Sequence, residues 1–370
     1  MRFADIPGQE EIKAKLVSSI KEERIPHAQL FLGPEGSHNL SLAIACIQMM
    51  YCSQPLEDDS CGSCSSCSKI SKHMHPDVHY SYPTAGAKQI STTYINEWRQ
   101  MLSEHPLMNA SDWMAKIAKD ENKTPNITRE ESRDILSKLS LKPFEGEAKA
   151  LIIWMPEYLD KIGNSLLKII EEPPQRTFFI LVAHQFDAIL PTVSSRTQLV
   201  KIGTYQNEEL VGHLRERYDL EQAKAENIAF LADGNMREAV MMVEEVDDNY
   251  SELFRKMMLA CYQNDLSTVS KFTDELARLG RNQIQLYLQN GLKILRETLL
   301  YKSIDDYEIK FVGEYKDFIR NFSSTMNAKL IEESYRSINE VIYHIGRNAN
   351  AKISLFNLSL ALRHNFIRKR

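Results

Sequence analysis

The sequence predicts an α/β domain built on a parallel sheet, followed by an all-α C-terminal region. Short β-rich apolar runs alternate with amphipathic helical patterns from Met1 to about Gly203, the pattern of a sheet covered by helices on both faces. Beyond Tyr205 the strand signals nearly vanish, and from Asp247 to Arg370 the chain has no proline and reads throughout as amphipathic helix. The length, 370 residues, is too great for one compact core and implies two or three domains.

The elements follow in order. Helical periodicity in QEEIKAKLVSSIKEE (Gln9 to Glu23) leads to the apolar run AQLFL (Ala28 to Leu32) and the helical pattern SLAIACIQMM (Ser41 to Met50). A cysteine-rich loop comes next, then the strand candidate DVHYSY (Asp77 to Tyr82) and a helix over TREESRDILSKLSL (Thr128 to Leu141). ALIIW (Ala150 to Trp154), a helix over GNSLLKIIEE and TFFILVA (Thr177 to Ala183) complete the alternation. Pro173 and Pro174 end the helix before the last strand, because proline cannot donate to it. The polar stretch from Gly86 to about Thr124, with some helical pattern in YINEWRQMLSEH, reads as a surface insertion of unreadable role. Asn207 to Glu245 suggests three small helices with a break at Gly234. The expected division is therefore 1–204, 205–246 and 247–370, and so large a terminal helical domain is expected to pack or oligomerise.

A net charge of −5 argues against a generally basic nucleic-acid binder. No apolar run is long enough to span a bilayer, and MRFADIPGQEEIKAKL lacks the apolar core of a signal peptide, so a cytoplasmic protein is expected.

GPEGSHNL, Gly33 to Leu40, lies between a strand and a helix, the context of a phosphate-binding P-loop. The pattern G-x-x-x-x-G-K-S/T laid on Gly33 puts His38 on the second glycine, Asn39 on the lysine and Leu40 on the hydroxyl. The acidic pair that should end the next buried strand is also missing. Trp154 and Met155 stand there, and neither binds a hard cation. The nearest acid, Glu157, comes later. Two elements of one ATP site are dismantled together, so hydrolysis is not expected. The backbone from Gly33 to Gly36 could still cradle a phosphate.

NSLLKIIEEPP (Asn164 to Pro174) resembles the LLK-x-x-EEPP motif of clamp-loader subunits in the AAA+ class, whose domain is RecA-like. ILPTVSSRTQ (Ile189 to Gln198) resembles the same family's P-T-x-x-S-R-C-Q motif, and IPGQEEIKAKL and IPHAQLFLGPEG resemble its early segments. The dismantled ATP site narrows the resemblance to delta-prime-type subunits of bacterial DNA polymerase III clamp loaders. It implies a RecA-like sheet domain, a small helical lid and a helical collar, in a component of the polymerase holoenzyme that is no enzyme by itself and binds no ATP. The implied function is to assist sliding-clamp loading on primed DNA. The implied partners are the ATPase and delta-type subunits and, through the complex, clamp and primer-template DNA. The S-R-C arginine, which maps onto Arg196, is implied to reach a neighbour's ATP site in trans; an always-charged planar guanidinium suits a γ-phosphate gaining charge. Thr197 replaces the usual cysteine. The bland alternative for Arg196 is a surface salt bridge.

Four of the six cysteines fall within sixteen residues as Cys52-x8-Cys61-x2-Cys64-x2-Cys67. That spacing suits a closed, structural four-thiolate zinc site, and similar subunits carry such a module here. Two disulfides or free thiols are the alternatives, with His73, His75 and His79 as other nearby ligands. Cys46 and Cys261 read as core residues. Arg237 lies where AAA+ lids often carry a second phosphate sensor, but reads as structural or interfacial here. His184 would be a sensor in an active relative and reads here as a solvated or hydrogen-bonded histidine. Two other functions remain open: a stand-alone zinc-containing DNA-binding protein, which salt-sensitive binding by the monomer would reveal, and an ATP-using clamp-loader subunit, which turnover by the pure chain would reveal.

Overall fold

The computed structural model describes residues 1–86, 88–118, 124–159, 169–244 and 250–367. Most of the anticipated helix over GNSLLKIIEE, and with it the start of the NSLLKIIEEPP motif, lies outside them. The contacts divide the chain into two compact units, Met1–Glu209 with Gly234–Arg237, and Leu210–Asp233 with Glu238–Arg370.

The first unit opens with α1 (Glu10–Lys21), β1 (Ala28–Leu32) and α2 (Asn39–Met50). Then come α3 (Ser65–Ser71), β2 (Val78–Ser81), β3 (Thr84–Ala85), α4 (Ile95–Glu104), α5 (Ala110–Ile117), β4 (Pro125–Asn126) and α6 (Arg129–Ser140). β5 (Lys149–Trp154), β6 (Thr177–Ala183), the single turn α7 (Pro191–Ser194) and β7 (Gln198–Lys201) complete it. The five-stranded sheet runs β2-β5-β6-β1-β7, and every pairing is parallel. This is the parallel, helix-covered sheet that the sequence anticipated.

Period-2 alternation explains why both sheet faces are buried. Along β5, Ala150, Ile152 and Trp154 enter one core while Leu151 and Ile153 enter the other; along β6, Ile180 and Val182 oppose Phe179, Leu181 and Ala183. α2 packs on the first face and is buried on nearly every side, as its apolar sequence requires. α6 starts where the Thr128 hydroxyl caps the Glu131 amide.

The insertion is not a surface appendage, which corrects the sequence reading. β3 and β4 pair antiparallel, Thr84 opposite Asn126, and clip its two ends together. Between them Trp98 of α4 and Trp113 of α5 are fully buried. Burying an aromatic of that size stabilises by roughly 2–3 kcal/mol.

The second unit is helical: most of α8 (Asn207–Tyr218), α9 (Gln222–Ala232), most of α10 (Met236–Glu244), α11 (Tyr250–Gln263), α12 (Leu266–Leu276), α13 (Arg281–Ser303), α14 (Glu314–Thr325), α15 (Ala328–Gly346) and α16 (Ala351–Ile367). α13 packs against α11, α14 and α15. Gly291 permits its contact with α11, since a Cβ there would meet the Phe254 ring at 2.5 Å. Buried Glu297 is satisfied by the Tyr307 hydroxyl at 2.9 Å and the Lys310 amide at 3.1 Å.

Candidate functional site

β1 lies between β6 and β7, yet the chain leaves it for the far edge strand β2 and returns through β5 and β6. In open α/β sheets such a reversal places the ligand crevice at the carboxyl ends of the central strands. The loop Gly33–His38 after β1 and His184 after β6 occupy that position. The frame of a phosphate loop is intact. Gly36 has φ +78° and His38 φ +57°, so the backbone keeps a left-handed turn at His38 without glycine.

The chemistry of the loop is turned inward. Asn39 is buried, and its amide donates to the carbonyls of Gly33 at 3.2 Å and Ala183 at 3.1 Å. A lysine here would extend toward phosphates; this shorter side chain ties the loop to the end of β6 instead. His38 Nδ1 lies 2.7 Å from the Tyr205 hydroxyl, and Leu40 is buried in the core. His184 Nδ1 faces the Gly33 carbonyl at 3.1 Å, so of the two readings, solvated or hydrogen-bonded, the second applies. The loop is also covered from outside. A Cβ on Gly36 would fall 1.9 Å from Asn235 Oδ1 and 3.0 Å from the Arg237 amide, so only glycine fits under that segment. Arg237 makes a bidentate pair with Asp112 of α5, Nε to Oδ2 at 2.9 Å and Nη2 to Oδ1 at 2.7 Å. Asn109, the N-cap of α5, donates to Glu35 at 3.0 Å.

The place of the acidic pair is apolar and filled. Trp154 ends β5 with its ring centroid 5.2 Å from that of Trp98, which stacks on Tyr82 at 4.0 Å and meets Trp113 edge-on at 5.4 Å. Met155 is buried with φ +58° and donates its amide to the Val182 carbonyl at 2.8 Å. Glu157 sits in the turn after β5, where one carboxylate oxygen accepts the amides of His184 and Gln185. Through that oxygen it caps the end of β6. Sequence reasoning missed Asp112, Asn109, Trp98 and Trp113. Two of the chain's three tryptophans lying in one polar segment was the available signal, because tryptophan is highly buried on average.

The four cysteines converge. Their Sγ atoms all lie within 4.8 Å of one another, and Cys61 and Cys67 approach to 4.0 Å. A tetrahedral ion at about 2.3 Å from each sulfur needs edges of roughly 3.8 Å, so a small contraction would close the shell. None of the four is in a disulfide. Backbone amides already point at the sulfurs, Cys61 to Cys52 and Cys64 to Cys61 at 3.3 Å and Cys67 to Cys64 at 3.5 Å, the outer-shell bonding that steadies thiolates. Burial would raise the Cys64 thiol, but the Cys67 amide and Ser53 overcome it and bring it to about 6. The Cys64 amide lowers Cys61 as well, while burial pushes Cys52 and Cys67 up. Asp59 anchors the loop by accepting the amides of Phe3 at 3.1 Å, Ala4 at 2.9 Å and Ser60 at 2.7 Å.

His73, His75 and His79 stand apart from the sulfurs, which form a set without histidine among the described residues. His73 faces the Tyr80 hydroxyl at 3.2 Å, and His75 accepts the Asp77 amide at 3.2 Å. Cys46 and Cys261 are buried, and burial raises each thiol to about 12. Both are core residues.

Arg196 follows α7 on the surface. Its Nε pairs with Glu171 of the EEPP stretch, and Nη1 donates to the Thr192 carbonyl at 2.8 Å. Both partners of the pair are more than a third exposed. Thr197 donates its hydroxyl to the Val193 carbonyl at 3.2 Å, so the residue in the usual cysteine position closes α7. Among the described residues no helix is long and apolar enough to cross a membrane.

The comparisons with known proteins converge on one machine. Residues 8–206 match the family model described as "DNA polymerase III, delta subunit". The chain is 25% identical over 331 residues to DNA polymerase III subunit tau of Bacillus subtilis, covering 83% of this chain and 51% of that one. It is 25% identical over 248 residues to subunit gamma of Buchnera aphidicola, covering 65% and 58%. To subunit delta' of Escherichia coli it is 26% identical over 188 residues, covering 50% and 45%. The chain thus spans about half the length of these relatives. With the family match extending over more than half of its residues, the chain belongs to the DNA polymerase III delta subunit family of clamp-loader subunits.

Proposed function

We propose that this chain is a delta-prime-type, non-hydrolysing subunit of the DNA polymerase III clamp loader, assisting the loading of the sliding clamp on primed DNA. One observation carries the reading. Asn39, in the lysine position, spends its amide on two backbone carbonyls, in a site whose acidic positions are the buried Trp154 and Met155. Such a site lacks the lysine that would meet a γ-phosphate and the acidic pair that would hold Mg²⁺. The subunit's contribution to turnover is then made in trans. Arg196 leaves its exposed pair with Glu171 and reaches the γ-phosphate in a neighbouring ATPase subunit. An exposed pair of this kind contributes about 0–1 kcal/mol, so little opposes that exchange. The cysteine cluster holds a structural zinc ion, a closed shell with no catalytic position. The three helices α8 to α10 act as the lid and the later helices as the collar that joins other loader subunits. The clamp and primer-template DNA are met through the complex, in the cytoplasm. The chain performs no nucleotidyl transfer of its own.

The test is clamp- and DNA-stimulated ATP hydrolysis by a reconstituted loader, wild type against Arg196→Ala. A loss of tenfold or more, about 1.4 kcal/mol of transition-state stabilisation, is expected with the complex still assembling. Unchanged turnover in an intact complex would remove the finger and leave a scaffold. A second reading, an ATP-using gamma/tau-type subunit, is favoured by the similarity to tau extending over 83% of this chain, against 50% for delta'. ATP turnover by the purified chain alone would establish it over the first.

A further inference from the structure

The inserted segment has a use that neither the cleft's lost residues nor Arg196 accounts for. The start of its helix α5 is tied to the vestigial phosphate loop at one point and to the segment 234–237 at another. Asn109 donates to Glu35 at 3.0 Å, and Asp112 forms the bidentate pair with Arg237. The Arg237 amide and the Asn235 side chain in turn lie directly on Gly36. The loop, the segment 234–237 and α5 therefore form one connected set, closed by a carboxylate and a guanidinium. The side chain of Arg237 is only 12% exposed and that of Asp112 26%, so the pair is largely withdrawn from water, where a bidentate fork is strongest. Asp112 is held for this task. It also accepts the Asn109 amide at 3.0 Å, while Asn109 Oδ1 accepts the Asp112 amide at 3.0 Å, a reciprocal cap that fixes the carboxylate at the start of α5. α5 is itself pinned by Trp113, which is fully buried and donates Nε1 to the Pro83 carbonyl at 2.7 Å.

We propose that α5 is an internal ligand of the cleft, with the Asp112 carboxylate serving Arg237 as the anion that a nucleotide phosphate would otherwise supply. In a nucleotide-dependent site, the loop and an arginine at its rim are brought together by a bound phosphate that leaves after turnover. Here the anion is covalently part of the chain, at the end of a segment clipped at its base by β3 and β4. Loop 33–38 and segment 234–237 are then held together at all times, and the state of this unit does not follow the ATP level. This inference rests on the geometry of the first unit alone. It stands or falls independently of the role assigned to Arg196.

The experiment is amide hydrogen exchange on the full chain, with and without Mg·ATP, for wild type and Asp112→Asn. The asparagine keeps one acceptor for the cap of α5, removes the charge and turns the second oxygen into a donor that cannot serve Arg237. Exchange at 33–38, 110–117 and 234–237 is expected to quicken at least tenfold in the variant and to be unaffected by ATP in wild type. Arg237→Gln should produce the same pattern, and the double variant should be no worse than either single one, because one interaction is being removed. If Asp112→Asn does not fold, Glu35→Ala, at an exposed site, should still quicken exchange at 33–38 and 110–117 a few-fold. Unchanged exchange in these variants, additive effects in the double variant, or faster exchange at 110–117 when ATP is added to wild type would each overturn the proposal.

Discussion

The phosphate-loop cleft and the cysteine loop lie at opposite ends of one helix, α2, and they solve the same problem in opposite ways. Each is a stretch of backbone shaped around something small. At the start of α2 the void is filled by the chain itself: Asn39 on two carbonyls, Trp154 in an aromatic cluster, Asp112 on Arg237. At its far end, residues 53–58 are exposed and supply no core. What gathers there is four thiols and the amides that point at them. In the cleft, side chains of the chain itself stand in the places of a ligand's partners. The cysteine loop is anchored by Asp59 and Ile70 at its inner side, but its outer stretch, residues 53–58, has little but a ligand to hold it.

Removing metal should therefore separate the two regions more than any substitution. Structural zinc in small modules contributes on the order of 10–16 kcal/mol of apparent folding free energy. Chelation, or Cys64→Ser, is expected to expose residues 52–71 to limited proteolysis while the sheet persists. Binding must also expel protons from Cys52 and Cys67, whose thiols burial holds above the ordinary value. Affinity should accordingly fall as pH is lowered. Metal content by mass spectrometry, with a cleavage map before and after chelation, checks both points. One zinc per chain and cleavage confined to that loop is the expected result; a metal-free chain with the loop intact would refute it.

The next largest effect is expected in the cleft. Trp154→Asp restores an acid where ATPases have one, but it sets a buried carboxylate beside Trp98. Lost packing and an unpaired buried charge together cost about 3–5 kcal/mol or more. Denaturant unfolding should show that loss, and ATP turnover should stay absent because Asn39 and Met155 remain. A stable variant that hydrolyses ATP would mean the cleft is closed far more loosely than its packing implies.

The contrast also explains what the sequence could disclose. The cysteine module was legible because ligand spacing is local: two C-x2-C steps within one loop state their chemistry without a fold. The departure from the ATP-site pattern was legible for a similar reason, since Asn39 and Trp154 fail that pattern position by position. What replaced that chemistry was not legible. Asp112 and Arg237 are 125 residues apart, and no spacing rule joins them. The insertion looked superficial because its average polarity hides Trp98 and Trp113, each buried beside at least one charged helical neighbour. β7 escaped for want of a pattern, a four-residue edge strand that is mostly exposed, with little apolar alternation to reveal it.

The smallest effect concerns the residue at the centre of the cleft. Asn39→Ala removes one amide and leaves the carbonyls of Gly33 and Ala183 short of a donor, although His184 still faces the first at 3.1 Å and the amide of Gly33 reaches the second at 3.2 Å. Each carbonyl thus keeps one partner. The expected loss is about 1–2 kcal/mol, read as a shifted unfolding midpoint with an unchanged denaturant slope. Asn39→Lys separates the two explanations of the closed cleft. If the asparagine alone kept nucleotide out, the lysine variant would bind ATP. If the whole set from Asn109 to Arg237 fills the space, lysine finds a site already satisfied, stability drops by more than in the alanine variant, and nucleotide is still not bound. The second outcome is expected, because a lysine amine buried beside carbonyls already in use must give up its hydration without gaining a phosphate.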